Sequence, residues 1–236
     1  MTNGQKVCLL TGGTSGIGLA TVKLFADNGY CIATCGRDQK RIDDLRNSMD
    51  TSDNQLLITQ SDLNDISHTR SFFDAAMDKF GQVDVLINNA AVSPLAPLDE
   101  LTPEQFETTT NVNIRSPFYL MQMAWKQMKQ QSRGVIVNLS SLAAIDPFPG
   151  FNIYGASKAW LDLMTHALAA EGEPFGIRVY SIRCGAVETP MLRGLFPDFP
   201  AEQCVSPNDV AQKIFSCVQQ PDSHTSGDKI TVANQT

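Results

Sequence analysis

Short apolar runs alternate with longer helical stretches along this whole chain, and that alternation constrains its fold more than any other feature. The strand-like runs are 6–11, 30–35, 55–61, 83–88, 134–140, 177–183 and 229–232. Several, such as Val7-Cys8-Leu9-Leu10 and Val85-Leu86-Ile87, are continuously apolar, which suits strands covered on both faces. Helical patterning fills 16–28, 38–50, 65–80, 103–132, 153–173 and 207–220. Ser206-Pro207-Asn208-Asp209 shows how such a helix begins: Ser caps, Pro takes the first turn, and Asp faces the positive end of the dipole. Strand–helix alternation implies right-handed crossovers and a doubly wound α/β parallel sheet. No repeat or long linker interrupts it, so a single domain is expected over 1–236. Ligands of such sheets bind beyond the carboxyl ends of the strands.

Charge narrows the partners. Eighteen Lys and Arg against 25 Asp and Glu leave a formal charge of −7. An acidic chain meets a Coulomb cost at a phosphate backbone or an anionic bilayer, so neither nucleic acid nor membrane is expected. No apolar run exceeds about four residues, against the ~20 of a membrane span. The N-terminus lacks a signal peptide's charged and apolar regions. Six cysteines form no CxxC and no paired pattern, and are expected to be reduced, buried and cytoplasmic. His68, His166 and His224 have no zinc spacing, so no metal is expected.

The first strand ends in Thr11-Gly12-Gly13-Thr14-Ser15-Gly16-Ile17-Gly18, and a helix follows at once. Glycines there permit positive φ, close approach of backbone to a pyrophosphate, and tight helix–strand packing. The helix N-terminus offers free N–H groups to phosphate. Gly12, Thr14, Ser15, Gly16, Ile17 and Gly18 are therefore placed against a dinucleotide. After the second strand stand Arg37 and Asp38, one suited to a ribose 2′-phosphate and the other to a free 2′-hydroxyl. Farther on, Tyr154 and Lys158 are four apart, on one face of a predicted helix. Ketone reduction needs a proton donor, and an ordinary tyrosine pKa near 10 suits neutral pH poorly. A neighbouring ammonium would lower it, and a fall of ~3 pH units corresponds to ~4 kcal/mol.

With TGxxxGIG, Asn88-Asn89-Ala90-Ala91, Ser141 and Tyr154-Gly155-Ala156-Ser157-Lys158 in this order, the chain resembles the short-chain dehydrogenase/reductase family, in its branch of about 250 residues. The resemblance covers essentially the whole chain and implies a Rossmann-type fold that transfers hydride between a nicotinamide cofactor and a small or medium carbonyl compound or the matching alcohol. It implies that Ser141 holds the substrate oxygen, that Lys158 also binds the nicotinamide ribose, and that Asn113 holds a water completing a proton relay. Asn111 competes for that last role. It implies further that Asp62 and Leu63 meet the adenine, that Asn89 and Ala90 line the cofactor, and that Gly185, Val187 and Thr189 shape the nicotinamide pocket. In the family the acid that selects NAD occupies the position of Gly36, and an arginine after that glycine goes with NADP. NADP(H) is therefore preferred and NAD(H) possible, with Asp38 expected to open the next helix. Two departures stand out: Ala91 replaces a usual glycine and Cys184 a usual proline. Cys184 is read as a small buried side chain in preference to a redox thiol.

Segment 190–205 is expected to be a short substrate lid, bringing Met191, Leu192, Leu195, Phe196 and Phe199 to an apolar pocket with Phe148 and Phe151. Those residues could equally pack the lid shut. Arg193 within it is expected to be solvated rather than ligand-bound. The resemblance also implies a homodimer or homotetramer. Two other functions are weighed: a non-catalytic protein that senses NADP, and an epimerase or dehydratase, which the glycine spacing and the length oppose.

Overall fold

The computed structural model describes residues 4–49, 54–220 and 223–234. Seven parallel strands form one sheet: β1 (Val7–Thr11), β2 (Cys31–Gly36), β3 (Leu56–Gln60), β4 (Val85–Asn88), β5 (Gly134–Ser141), β6 (Ile177–Cys184) and β7 (Lys229–Val232). Their order is β3-β2-β1-β4-β5-β6-β7. The order reverses between β1 and β4, which opens a crevice at their carboxyl ends.

The helices are α1 (Gly16–Asp27), α2 (Gln39–Ser48), α3 (Ile66–Phe80), α4 (Pro103–Thr110), α5 (Ser116–Gln131), α6 (Asn152–Gly172), α7 (Pro190–Leu195) and α8 (Pro207–Gln219). Because side chains alternate along a strand, β1 feeds two cores. Cys8 and Leu10 join Val22 and Phe25 of α1 and Val210 and Ile214 of α8 on one face. Val7 and Leu9 join Phe72 of α3 and Leu120 and Met128 of α5 on the other. Burying each such large apolar side chain contributes about 1.5–3 kcal/mol. Met121 and Met128 belong to this core, and Trp125 and Trp160 pack partly buried against it.

All seven predicted strands are present, within a residue or two at each end. The predicted second helix stops at Ser48, and position 50 lies outside the described residues. Two differences have physical causes. The stretch 103–132 is α4 and α5 joined by one π-turn, Asn111–Arg115. A single wide turn shifts the apolar stripe too little to show against a 3.6-residue period. Helix α7 was read only as lid, yet Thr189 caps it and Pro190 opens it, the same signal that marks Ser206-Pro207 at α8. Among the described residues no helix is long and apolar enough to cross a membrane, and no three acidic, His or Cys side chains cluster as a metal site. The six cysteines are unpaired; five are buried, and Cys204, in the segment expected to be a lid, is not.

Candidate active site

A cavity of about 1110 Å³ lies beyond the carboxyl ends of the strands. The glycine loop forms one wall. Gly12 holds φ +72°, a conformation that side chains resist. A Cβ on Gly18 would stand 2.1 Å from the Gly12 carbonyl oxygen, so only glycine lets α1 come this close to β1. Asn89 Nδ2 donates to the carbonyls of Thr11 (2.8 Å) and Gly12 (3.1 Å), and Thr11 Oγ1 accepts from the Asn89 and Ala90 N–H groups. This clamps the loop to β4. Asn88 does the same for the sheet, its Nδ2 donating to Asn138 Oδ1 at 2.8 Å. The first N–H groups of α1 receive no side-chain cap from Ser15 and meet no acid in the first turn. Side chains do cap α2, α3, α4, α7 and α8. An uncapped, positive helix end facing a cavity with Gly12, Thr14, Gly16 and Ile17 suits a pyrophosphate.

At the end of β2, a Cβ on Gly36 would lie 2.7 Å from Thr14 Oγ1, so an acid there would collide with the loop. Asp38 Oδ1 accepts from the Arg41 N–H at 2.9 Å and caps α2, as expected. Its carboxylate is thereby engaged, while Arg37 lies exposed on the cavity wall. Arg41, in the first turn of α2, lines the same wall, and no sequence signal pointed to it. Asp62 and Leu63 form the neighbouring wall. His68 holds them there, its Nδ1 accepting from the Asp62 N–H at 3.1 Å.

Tyr154, Lys158 and Ser141 all line the cavity. Lys158 is buried; its Nζ donates to the Leu139 carbonyl at 2.7 Å and lies 5.6 Å from the centroid of the Tyr154 ring. Burial lowers the lysine pKa from 10.5 to about 8, against the opposing pull of Cys184 and Asp162. Burial raises Tyr154 to about 12, although a hydrogen bond with Ser141 acts the other way. The expected lowering by Lys158 does not appear here: burial, with Cys184 adding to it, sets the direction, and Ser141 supplies the opposing hydrogen bond. The tyrosine is therefore held as a neutral proton donor. Ser141 ends β5, and its Oγ accepts from the Ala143 N–H at 3.1 Å. Cys184 faces the same cluster, and burial pushes its thiol up to about 12, which fits the small-side-chain reading.

Asn113 is fully buried in the π-turn, and Asn111 is not. Its Oδ1 accepts from the Val92 N–H (2.9 Å), and its Nδ2 donates to the Val92 carbonyl (2.9 Å) and Ser157 Oγ (3.0 Å). The amide thus ties the loop after β4 to α6, the helix that carries Tyr154 and Lys158. Both amide hydrogens and one lone pair of Oδ1 are taken by protein, so the side chain anchors this junction. Behind Lys158, Asp162 is buried and accepts from Ser181 Oγ (2.5 Å) and Arg183 Nε (2.7 Å), joining α6 to β6.

Gly185, Val187 and Thr189 complete the far wall. Val187 bridges to Val205, and the Gly185 N–H donates to the Val232 carbonyl. Thr189 Oγ1 donates to the Val187 carbonyl and accepts from the Leu192 N–H. Arg193 is not simply solvated. It donates to both carboxylate oxygens of Glu188 and to the Pro197 and Phe199 carbonyls. Glu188, in turn, holds the guanidinium above its ordinary pKa.

The short chain dehydrogenase family model matches residues 6–199, and the chain belongs to that family. It is 32% identical to the 3-oxoacyl-acyl-carrier-protein reductase FabG of Thermotoga maritima, over 96% of each chain. Among solved structures, it resembles a 3-ketoacyl-acyl-carrier-protein reductase from Brucella melitensis complexed with NADH (28% identity, TM-score 0.87, covering 97% and 96% of the two chains). It also resembles ElxO with NADP bound (28% identity, TM-score 0.85, covering 97% of each).

Proposed function

We propose that this protein is an NADP(H)-dependent oxidoreductase that reduces a carbonyl compound to the alcohol, or runs that reaction in reverse. The observation that carries the reading is a single one. Tyr154, Lys158 and Ser141 meet in one cavity with an uncapped helix end and a glycine cradle that a Cβ would fill. Gly12, Thr14, Ser15, Gly16, Ile17 and Gly18 would hold the pyrophosphate. Asp62, Leu63, Asn89 and Ala90 would lie along the adenosine half; Gly185, Val187 and Thr189 would lie at the nicotinamide. Arg37, aided by Arg41, would clamp the 2′-phosphate. The engagement of Asp38 in capping α2 supports NADP over NAD, and neighbours of this fold bind both.

When bound, the cofactor supplies the hydride. Ser141 donates to the substrate oxygen and fixes its position. Tyr154 gives that oxygen its proton as the alcohol forms, and takes it back in oxidation. Burial keeps the phenol protonated until the oxygen needs it. Lys158 orients the ribose and balances the phenolate left behind. Asn113 holds α6 in place beneath both and would hold the water that completes the proton relay. Segment 190–205 serves as the lid.

Parallel fluorescence titrations with NADPH and NADH test this, followed by turnover of a ketone panel. Expected are tighter NADPH binding and Tyr154-dependent turnover. Tight binding with no turnover of any ketone or alcohol would instead make the chain a nucleotide-sensing protein.

A further inference from the structure

The two ends of the cavity differ in how many charges they carry. Arg37, Arg41, Asp38 and Asp62 stand at the β2 end. Beyond Tyr154 the walls are aromatic and apolar. Phe148 meets Phe151 edge-on at 4.6 Å, Phe151 meets Tyr154 at 5.3 Å, and Phe196 stacks on Phe151 at 6.1 Å with 14° between planes. Phe148 (54% exposed) and Met191 (41% exposed) present apolar surface to this space. Among the described residues lining that end, the one charged side chain is the carboxylate of Asp146. Arg193, the lid's cation, is held by Glu188 and two lid carbonyls.

We infer that the substrate is an uncharged carbonyl compound with an aromatic or alicyclic ring beside the C=O, and that carboxylates and phosphate-bearing acyl thioesters are excluded. The inference rests on the hydride-transfer reading and names the substrate class of the same site. Ring faces and edges offer a flat apolar body the most contact, with electrostatic preference for stacked or edge-on geometry. An anion entering here leaves water and meets no cation but Lys158, whose buried ammonium already donates to the Leu139 carbonyl, and a poorly paired buried charge is costly. Asp146 adds like-charge repulsion at the rim, weakened by salt. A phosphopantetheine arm on an acidic carrier would also approach a chain of net charge −7. In this respect the site departs from what the name of the Thermotoga relative implies for that protein, despite 32% identity.

The test uses the full-length Tyr154→Phe variant loaded with NADPH, so that complexes form without turnover. Calorimetry compares ethyl benzoylformate, benzoylformate and acetoacetyl-CoA. The ester is expected to bind at least about tenfold more tightly than either anion, since an unpaired buried charge costs more than 1.4 kcal/mol. Asp146→Asn is expected to tighten benzoylformate about threefold, as removal of one exposed charge would, and to leave the ester unchanged. Phe148→Ala is expected to weaken the ester about fivefold, the loss of part of one ring contact. Either anion binding as tightly as the ester, or failure of the ester to bind, overturns the inference. NADPH binding is measured first. If NADPH does not bind, the hydride-transfer reading falls and takes the inference with it. If NADPH binds and the wild type reduces acetoacetyl-CoA, the hydride-transfer reading stands and only the substrate class falls.

Discussion

The two ends of the cavity are built on different principles. The nucleotide end is mostly backbone: glycines and a bare helix terminus, tied into the sheet by the side-chain amide of Asn89, with Arg37 and Arg41 at its edge. The substrate end is side chains on connections, namely the stretch before α6 and the lid around α7. One surface is fixed by strand pairing; the other hangs on an ion pair and a few aromatic contacts. The same sheet thus supports an end that tolerates little change and an end that can be re-formed without disturbing the fold.

The strongest way to break this division is at its centre. Tyr154→Phe removes only the proton donor, and turnover is expected to fall about 10³-fold or more, as loss of a general acid does. NADPH affinity is expected to stay within about twofold, since the ring remains. A large loss of NADPH binding in that variant would show that the two ends are not separable there.

Next in size is the stability cost of the centre itself. Burial lowers Lys158 from 10.5 to about 8, a penalty of about 3 kcal/mol at 1.36 kcal/mol per pH unit. The sign follows from proton counting. Below pH 8 both folded and unfolded chains carry the proton, and the penalty is complete. Between pH 8 and 10.5 the folded chain has released it and the unfolded chain has not, so stability rises with pH. Lys158→Met is therefore expected to be the more stable protein at pH 7 by up to about 3 kcal/mol, less the cost of the orphaned Leu139 carbonyl. Its advantage is expected to fade by pH 10.5, as urea denaturation at both pH values would reveal. A constant gap would mean that the lysine charge is already compensated by its neighbours, Cys184 and Asp162.

At the nucleotide end, Arg37→Ala is expected to weaken NADPH about ten- to hundredfold, the usual effect of removing a charge-assisted phosphate contact. NADH should bind nearly as before. Equal losses for both would place the guanidinium away from the 2′-phosphate and move that role to Arg41.

What the sequence disclosed, and what it hid, follows the same division. The glycine loop and the Tyr154/Lys158 pair are local, so spacing reveals them. Asp38 could be read because a helix cap is also local. Arg41 could not, because its reach to the wall depends on the phase of α2 after that cap. Nor could the π-turn that buries Asn113, which displaces a stripe without erasing it. The Asp162–Arg183 pair joins residues 21 apart across α6 and β6, beyond any periodicity. The expected fall in the tyrosine pKa rests on the ammonium four residues on, which a sequence names; the burial that raises it is not written there.

The smallest effect sharpens the comparison most. Arg193 was expected to be solvated, yet it joins Glu188 to the carbonyls of Pro197 and Phe199 and so holds the lid in one shape. It lines no part of the cavity itself. In Arg193→Ala the lid keeps its apolar residues but loses this clasp, and substrate KM is expected to rise about three- to tenfold through added disorder at an exposed contact. NADPH affinity is expected to change less than about twofold, and kcat little. High salt should weaken the wild type toward the variant, because the ion pair is partly exposed. If NADPH affinity falls together with substrate KM, then Glu188, next to Val187 on the nicotinamide wall, transmits the lid's position into the nucleotide end. The division between a backbone-built end and a side-chain-built end would then stop at that residue.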